Sequence, residues 1–395
     1  MSDQILNLHG DPLFRAFDLS MKLFVASLLI SIAAAQILIG ILVCLWVVLL
    51  VKGMRQPRTI LDIPILIFIA ARIASVLLSE YPELSIHAIS RELVFYVSYF
   101  VCTFYFEHAD LEGLKETFQV LVISTCLVCI ASTGLMLGGY IKKANGLSGG
   151  GLLSSHIAFL IPAVLMTRKE RGFFPKEIYR WGGVAILLLA LLFTLTRGDW
   201  IAVGVVIVVY GMFFSRKAFI VLLAVFVIIY LFSPTIRGRV HTFVNPLGNT
   251  SDRKTLWQDA AKHAGAHPLF GFGPNSFSQV FDDRAHLGDK AVGAWHNDFL
   301  QLYMESGIAG AGSFAVVLGT FGYCAFGLVR RKMQERPNSL IDYGWMGALL
   351  LFAYIIDGCF TMPTSSITNA MLFRFLIAAV AVEYARTTSA TVVKG

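Results

Sequence analysis

One stretch places a titratable imidazole where a polar segment turns apolar: Trp295-His296-Asn297, then nine residues, then Gly307-x-x-Gly310. A histidine at such a boundary exchanges protons near neutral pH while facing a dry pocket, which is the setting for general-base work. The plainer reading is a helix start capped by Asn297, with the histidine merely lying at the lipid interface. Asn297 is also a candidate substrate contact. Arg197, in Thr196-Arg197-Gly198, stands on a tight turn between two apolar segments. A guanidinium held there suits bidentate contact with a phosphate, and its plainer role is an interfacial anchor. Arg253 opens a polar helix in Arg253-Lys254-Thr255-Leu256-Trp257. It is either a solvated surface charge or a second phosphate contact, reinforced by backbone donors at a helix N-terminus.

Three more arginines, Arg72, Arg91 and Arg374, lie inside apolar segments. Each costs several kcal/mol to insert and needs a reason. They either pair with Glu92 or Asp357 as structural glue, or form a basic vestibule that binds an anionic lipid headgroup. Asp282-Asp283 is the acidic doublet of the polar loop, a weak signal for a divalent ion that the arginines make unnecessary. His263, His267 and His286 lack the regular spacing of a zinc site. The expectation is no metal and no cofactor. Cys126-x-x-Cys129 lies inside an apolar run with no second pair, so it reads as packing.

The elements that must position these groups are membrane helices. The 395 residues are 56% hydrophobic and 14% charged, with mean hydropathy +0.71; a soluble domain carries about a quarter charged residues. The net charge of +7 does not indicate nucleic acid, because lysines and arginines gather at the ends of apolar segments rather than in an aromatic-studded patch. Apolar segments read at 19–34, 36–51, 61–78, 88–106, 117–138, 152–166, 181–196, 199–214, 218–232, 307–329, 343–360 and 369–385. They predict an all-α polytopic membrane protein with about 12 transmembrane helices. Residues 1–395 form a single integral membrane domain, and residues 233–295 form a large loop containing short helices. Lys22 and Leu23–Ala35 resemble a signal peptide, but the apolar run continues, so an uncleaved first helix and a tight turn near Gln36 are expected.

Alternate connections carry Lys52, Arg55 and Arg58; Arg168, Lys169, Arg171, Lys176 and Arg180; Arg216 and Lys217; and Arg330, Arg331, Lys332 and Arg336. The positive-inside rule makes these cytoplasmic, together with both termini. The acidic connection Glu107–Glu116 fits less well. The long loop, the Arg197 turn and the outer ends of the segments bearing Arg72, Arg91, Asp357 and Arg374 then face outward. In the loop, Thr255–Ala266 reads as a helix after Asp252, and His267-Pro268-Leu269-Phe270-Gly271-Phe272-Gly273 as a turn. Its aromatics, Trp257, Phe270, Phe272, Phe277 and Phe281, argue against disorder.

Thr196-Arg197-Gly198, Arg253-x-x-x-Trp257, His267-Pro268-Leu269-Phe270-Gly271-Phe272-Gly273 and His296-Asn297-x9-Gly307-x-x-Gly310 together resemble the bacterial O-antigen ligases and the wider O-antigen polymerase/ligase superfamily. The resemblance covers roughly the last half of the chain; the first half is similar only in hydropathy. It implies glycan transfer at the periplasmic face of the inner membrane, from an undecaprenyl-pyrophosphate-linked donor to a sugar hydroxyl of lipid A–core, without metal or nucleotide. It also implies that His296, Arg197 and Arg253 are the essential residues. Asp199 departs from the pattern, where a small residue is common. Polymerases of the superfamily use another lipid-linked glycan as acceptor. Protein O-oligosaccharyltransferases use Ser or Thr and usually carry a C-terminal soluble region, whereas here the chain stops soon after Arg386. A lipid-linked glycan transporter is the alternative of another class; it would explain the intramembrane arginines, but the sequence lacks the repeated halves common in transporters. Gly307 and Gly310 are expected to permit close helix packing beside the site.

Overall fold

The computed structural model describes residues 11–147, 152–244, 251–282, 293–331 and 339–392. Asp283, His286, Lys332 and Arg336 lie outside them. The described chain is helical, with an isolated bridge between Thr167 and Ile341. In order the helices are α1 (Pro12–Ser27), α2 (Ile32–Val51), α3 (Asp62–Leu77), α4 (Pro82–His108), α5 (Leu111–Leu137), α6 (Leu152–Leu165), α7 (Glu177–Phe193), α8 (Arg197–Phe213), α9 (Arg216–Phe232), α10 (Pro234–Val244), α11 (Ser251–His263), α12 (Phe277–Val280), α13 (Asp298–Arg330), α14 (Tyr343–Gly358) and α15 (Ile367–Val392).

Every apolar stretch folds as helix, and the protein is a polytopic membrane protein. Four helices (α2, α5, α13 and α15) are long and apolar enough to cross a bilayer by themselves, and α9 with α10, bent by 99°, makes a fifth if taken as one span. That is fewer than twelve by this measure. At 14 residues α6 rises about 21 Å against a hydrocarbon core of roughly 30 Å. The first turn also falls elsewhere than expected. The chain breaks at 28–31, where Ser31 caps α2 by accepting from Ala34 N at 3.2 Å, and Gln36 is inside the helix. A serine that can satisfy an orphan amide ends the first helix more effectively than a glutamine does.

One end of the bundle is laced by ion pairs. Lys22 reaches Asp18 at 2.7 Å and Glu116 at 2.6 Å, Lys52 reaches Asp11 at 3.3 Å, and Arg386 reaches Glu107 at 3.0 Å. The acidic connection Glu107–Glu116 thus shares its end with Lys22, Lys52 and Arg386, the end that the basic pattern assigns to the cytoplasm. The polar loop meets the opposite end, where Ser79 and Ser85 donate to the carbonyls of Phe272 and Pro274. The loop has its own small core of Leu256, Phe272, Phe277, Phe281, Trp295 and Met304. The loop helix is already under way at Ser251, so Asp252 lies within it rather than capping it.

Two of the sequence motifs prove to be one joint. Gly307 adopts φ 59°, ψ −158° and breaks α13 in two. Into the break fits the glycine-rich turn: Phe272 N and Gly273 N donate to Met304 O and Glu305 O, both at 2.9 Å, while Ile308 N and Ala309 N donate to Pro268 O at 2.8 Å and Leu269 O at 3.0 Å. The contact is backbone on backbone. A Cβ on Gly307 would lie 2.3 Å from the Leu269 carbonyl carbon, and one on Gly271 2.4 Å from the Glu305 carbonyl carbon. Gly307 therefore admits loop backbone rather than a neighbouring helix. We expect Gly307→Ala to lower the melting temperature of the purified protein, since the left-handed backbone alone costs a Cβ-bearing residue of order 1–3 kcal/mol before the clash is counted. An unchanged melting curve would contradict this joint.

Candidate functional site

The ends of α8, α11, α13 and α14 on the side of the polar loop gather the predicted residues. Arg253 opens its approach from α11 by donating to Phe360 O at 2.9 Å, with its guanidinium 5.7 Å from the Phe360 ring centre. Phe360, just beyond α14, packs against the start of α8: a Cβ on Gly198 would lie 2.6 Å from the Phe360 Cβ. The glycine after Arg197 thus lets α8 come up against the turn that holds Arg253. Four residues on from Arg253, Trp257 Nε1 donates to Trp295 O at 3.1 Å, tying the same helix to the residue before His296.

Asn297 caps α13 as the plainer reading had it, accepting from Leu300 N at 3.0 Å; its amide also donates to Cys359 O at 3.3 Å. Behind it Asp298 is fully buried and accepts from Tyr354 and Thr364. His296 is thereby held between fixed neighbours, in a left-handed backbone conformation with φ 51°. Leu195, at φ 58°, does the same just before Arg197. Non-glycine residues in this region are uncommon and gather at functional sites.

Electrostatics link these groups. Burial holds the Arg253 guanidinium below its ordinary range, with further repulsion from Arg197 and Arg239. Arg239, from α10, feels Arg197 in turn and donates to Leu195 O at 2.8 Å. Burial first, and then the charge of Arg253, pulls the His296 imidazole below its usual 6.5. Three guanidiniums in mutual repulsion and a neutral imidazole make a site that would bind a polyanion and accept a proton beside it. Sequence reading missed Arg239. It sits in Arg237-Gly238-Arg239 just past an apolar segment, and the signal was a basic pair on the face where basic residues are scarce.

Asp199 does not neutralise this cluster by turning outward. It is fully buried and lies against Asp357 and the hydroxyls of Ser154 and Ser155. The two carboxyl groups lie close together behind the arginines, where α8 packs on α14.

The three intramembrane arginines part company. Arg72 takes the structural alternative and is not available to a headgroup. It is 2% exposed, and all three of its nitrogens are engaged, with Glu92 (2.6, 2.8 and 3.1 Å), Glu305 (2.9 Å) and Ser306 (2.8 Å). Glu305 also accepts from Asn275 N at 2.9 Å and Gln301 Nε2 at 2.6 Å, and Gln301 Oε1 accepts from Trp295 N at 3.0 Å. A polar chain therefore runs from Arg72 in the bundle to the residue beside His296. Arg91 is exposed and bonds to His87 O of its own helix at 3.3 Å. Arg374 stacks 4.9 Å over Tyr96 and lines an apolar cavity with Phe68, Phe314, Tyr354 and Phe373. Among the described residues, these contacts of Arg91 and Arg374 do not reach Arg197, Arg253 or His296.

Fold and site together define a multi-pass helical membrane protein with a basic, imidazole-bearing site at the end of the bundle that carries the large loop. Residues 182–315, which hold Arg197, Arg239, Arg253, the glycine-rich turn, His296 and Gly310, match the family model described as O-antigen ligase. The chain is also similar to the exopolysaccharide production protein ExoQ of Rhizobium meliloti (strain 1021), 26% identical over 155 residues, covering 36% of this chain and 35% of that protein. The match thus spans about a third of the relative's length.

Proposed function

We propose that the protein transfers a glycan from an undecaprenyl-pyrophosphate carrier to a sugar hydroxyl of lipid A–core on the periplasmic face of the bacterial inner membrane. The convergence of Arg197, Arg253 and His296 inside the stretch that matches the O-antigen ligase family carries this reading. Neutral His296 takes the proton of the acceptor hydroxyl as its oxygen bonds to the anomeric carbon. The carbon–oxygen bond to the pyrophosphate breaks, and Arg197 and Arg253, with Arg239, stabilise the departing charge. Attack opposite the leaving group inverts the anomeric centre. Metal is not required, because the guanidiniums supply the positive charge. Asn297 positions the histidine, and Arg91 and Arg374 remain candidate headgroup contacts. The whole chain acts as one membrane domain, with the shorter apolar helices completing twelve membrane segments. Buried helices such as α6 need not span the full core when protein surrounds them.

Polymerisation of a lipid-linked glycan is the second reading; the similar protein ExoQ is named for exopolysaccharide production. Purified protein given carrier-linked glycan and three competing acceptors (core lipid, a second carrier-linked glycan and a peptide) should join glycan to core lipid without ATP. Product on the second carrier would assign a polymerase, and product on the peptide a protein glycosyltransferase. No product with any acceptor would favour a transporter. Transfer should continue in excess EDTA; a loss restored by magnesium would move the chemistry to a metal.

A further inference from the structure

The loop carries a second cluster of chemically competent groups, at the far end of α11 from Arg253. Asp259 and His263 are four residues apart on that helix and so share a face. Asp282 comes to them from just beyond α12. One carboxylate oxygen of each aspartate and one imidazole nitrogen of His263 lie within 4.8 Å of one another. His263 Nε2 is 3.0 Å from Asp282 Oδ2, and Asp282 N donates to Asp259 Oδ2 at 3.4 Å.

Asp259 is the unusual member. It is 2% exposed, and its Oδ1 accepts no hydrogen bond. Lys262 Nζ stands 3.5 Å from that oxygen, but the lysine side chain is 65% exposed. A buried carboxylate oxygen with no hydrogen bond, facing only a largely solvated ammonium at 3.5 Å, is weakly compensated and would be better served by a bound cation. The other two groups are reachable from water, with 28% of the His263 side chain and 62% of the Asp282 side chain exposed.

We propose that Asp259, His263 and Asp282 bind a divalent transition-metal ion of the zinc type, as a clasp between α11 and the segment after α12. One imidazole and two carboxylates are a ligand set such ions accept, with water completing the tetrahedron. Ligand bonds of about 2.0–2.2 Å require donor atoms roughly 3.4 Å apart; the His263–Asp282 edge is already this short, and the aspartates need only a small side-chain adjustment. The ion sits away from the transfer chemistry, since the ten residues from Arg253 to His263 span about 15 Å of helix. Its role is to stiffen the helix that presents Arg253. Tyr303, which donates to Ala264 O at 2.9 Å, anchors the same end of α11 to α13.

The test uses the full chain in nanodiscs, purified without a histidine tag, with zinc chloride as the probe and metal content as the readout. This result stands or falls independently of the transfer reaction. The wild type should retain about one zinc ion per chain after gel filtration and melt several degrees higher with zinc than with EDTA. X-ray absorption should show nitrogen and oxygen ligands without sulfur. His263→Ala and Asp282→Asn should each weaken binding by at least about tenfold. Lys262→Met removes the competing ammonium and should tighten it. Lack of zinc retention by the wild type, sulfur ligation from the cysteines, or equal retention by His263→Ala would overturn the proposal. So would a Lys262→Met variant that binds zinc no better than the wild type.

Discussion

His296→Ala is expected to reach the membrane at normal level and to lower glycan transfer by about 10²–10⁴-fold, the contribution of a positioned general base. The substitution should cost little stability, because an alanine leaves the Asn297 cap, the Trp257–Trp295 bond and the Asp298 contacts in place. Relieving or keeping the left-handed φ changes only a local strain of order 1 kcal/mol. The pH dependence follows from the environment of the ring. The base form is the neutral one. Burial and Arg253 both favour it, pulling the imidazole below 6.5, so transfer should be nearly flat around neutrality. It should fall only as pH drops through the lowered value and the ring protonates. Arg253→Gln tests the second cause separately. Without that charge the imidazole titrates higher, so the acid limb of whatever activity survives should shift toward neutrality. An acid limb in Arg253→Gln at the same or lower pH would place Arg253 out of reach of His296. Full transfer by His296→Ala would remove the imidazole from the mechanism altogether.

Much of the frame was legible because burial in a bilayer leaves a coarse, strong signal. The segment read at 61–78 folds as Asp62–Leu77, and the one read at 343–360 as Tyr343–Gly358. Arg197 and His296 stood out because a charge or an imidazole at the edge of an apolar run has few neutral explanations. What was not legible depends on local competition or on distant partners. Ser31, not Gln36, ends the first helix because it can cap the next. The helices Pro234–Val244 and Phe277–Val280 are short, and they hide among polar residues with no periodicity strong enough to announce them. Asp259 joins His263 and Asp282 only after the chain turns back through the glycine-rich segment, so inspecting histidine spacing alone could not find the cluster. The break at Gly307 reads in sequence like any small-residue packing motif. Only the position of the 268–273 backbone shows that a loop, rather than a helix, occupies the space.

Arg72→Met should sharply lower the thermal stability and the yield of folded protein. The partner of Arg72 in α13 lies 233 residues away, so sequence reading could weigh a headgroup site against structural pairing but could not decide. The geometry favours pairing, because the guanidinium is 2% exposed and all three of its nitrogens already bond to Glu92, Glu305 and Ser306. Methionine fills similar volume but leaves the carboxylates of Glu92 and Glu305 without their counter-charge. Breaking one side of a buried ion pair costs about 3–5 kcal/mol, a large share of a total stability of about 5–15 kcal/mol. Arg72→Lys should rescue only in part, since an ammonium offers three donors and cannot chelate Glu92 while also reaching Glu305 and Ser306. Neutralising the partners as well should do better: Arg72→Met combined with Glu92→Gln and Glu305→Gln removes the stranded charges and should recover much of the lost stability. Thermal unfolding and elution of monodisperse protein from detergent read all three variants. A well-folded Arg72→Met that has lost only carrier-lipid affinity would return Arg72 to the substrate. Unfolding rescued by the triple variant assigns it to the polar chain that runs through Glu305 and Gln301 to Trp295, where it acts on transfer by holding the backbone next to His296 in place.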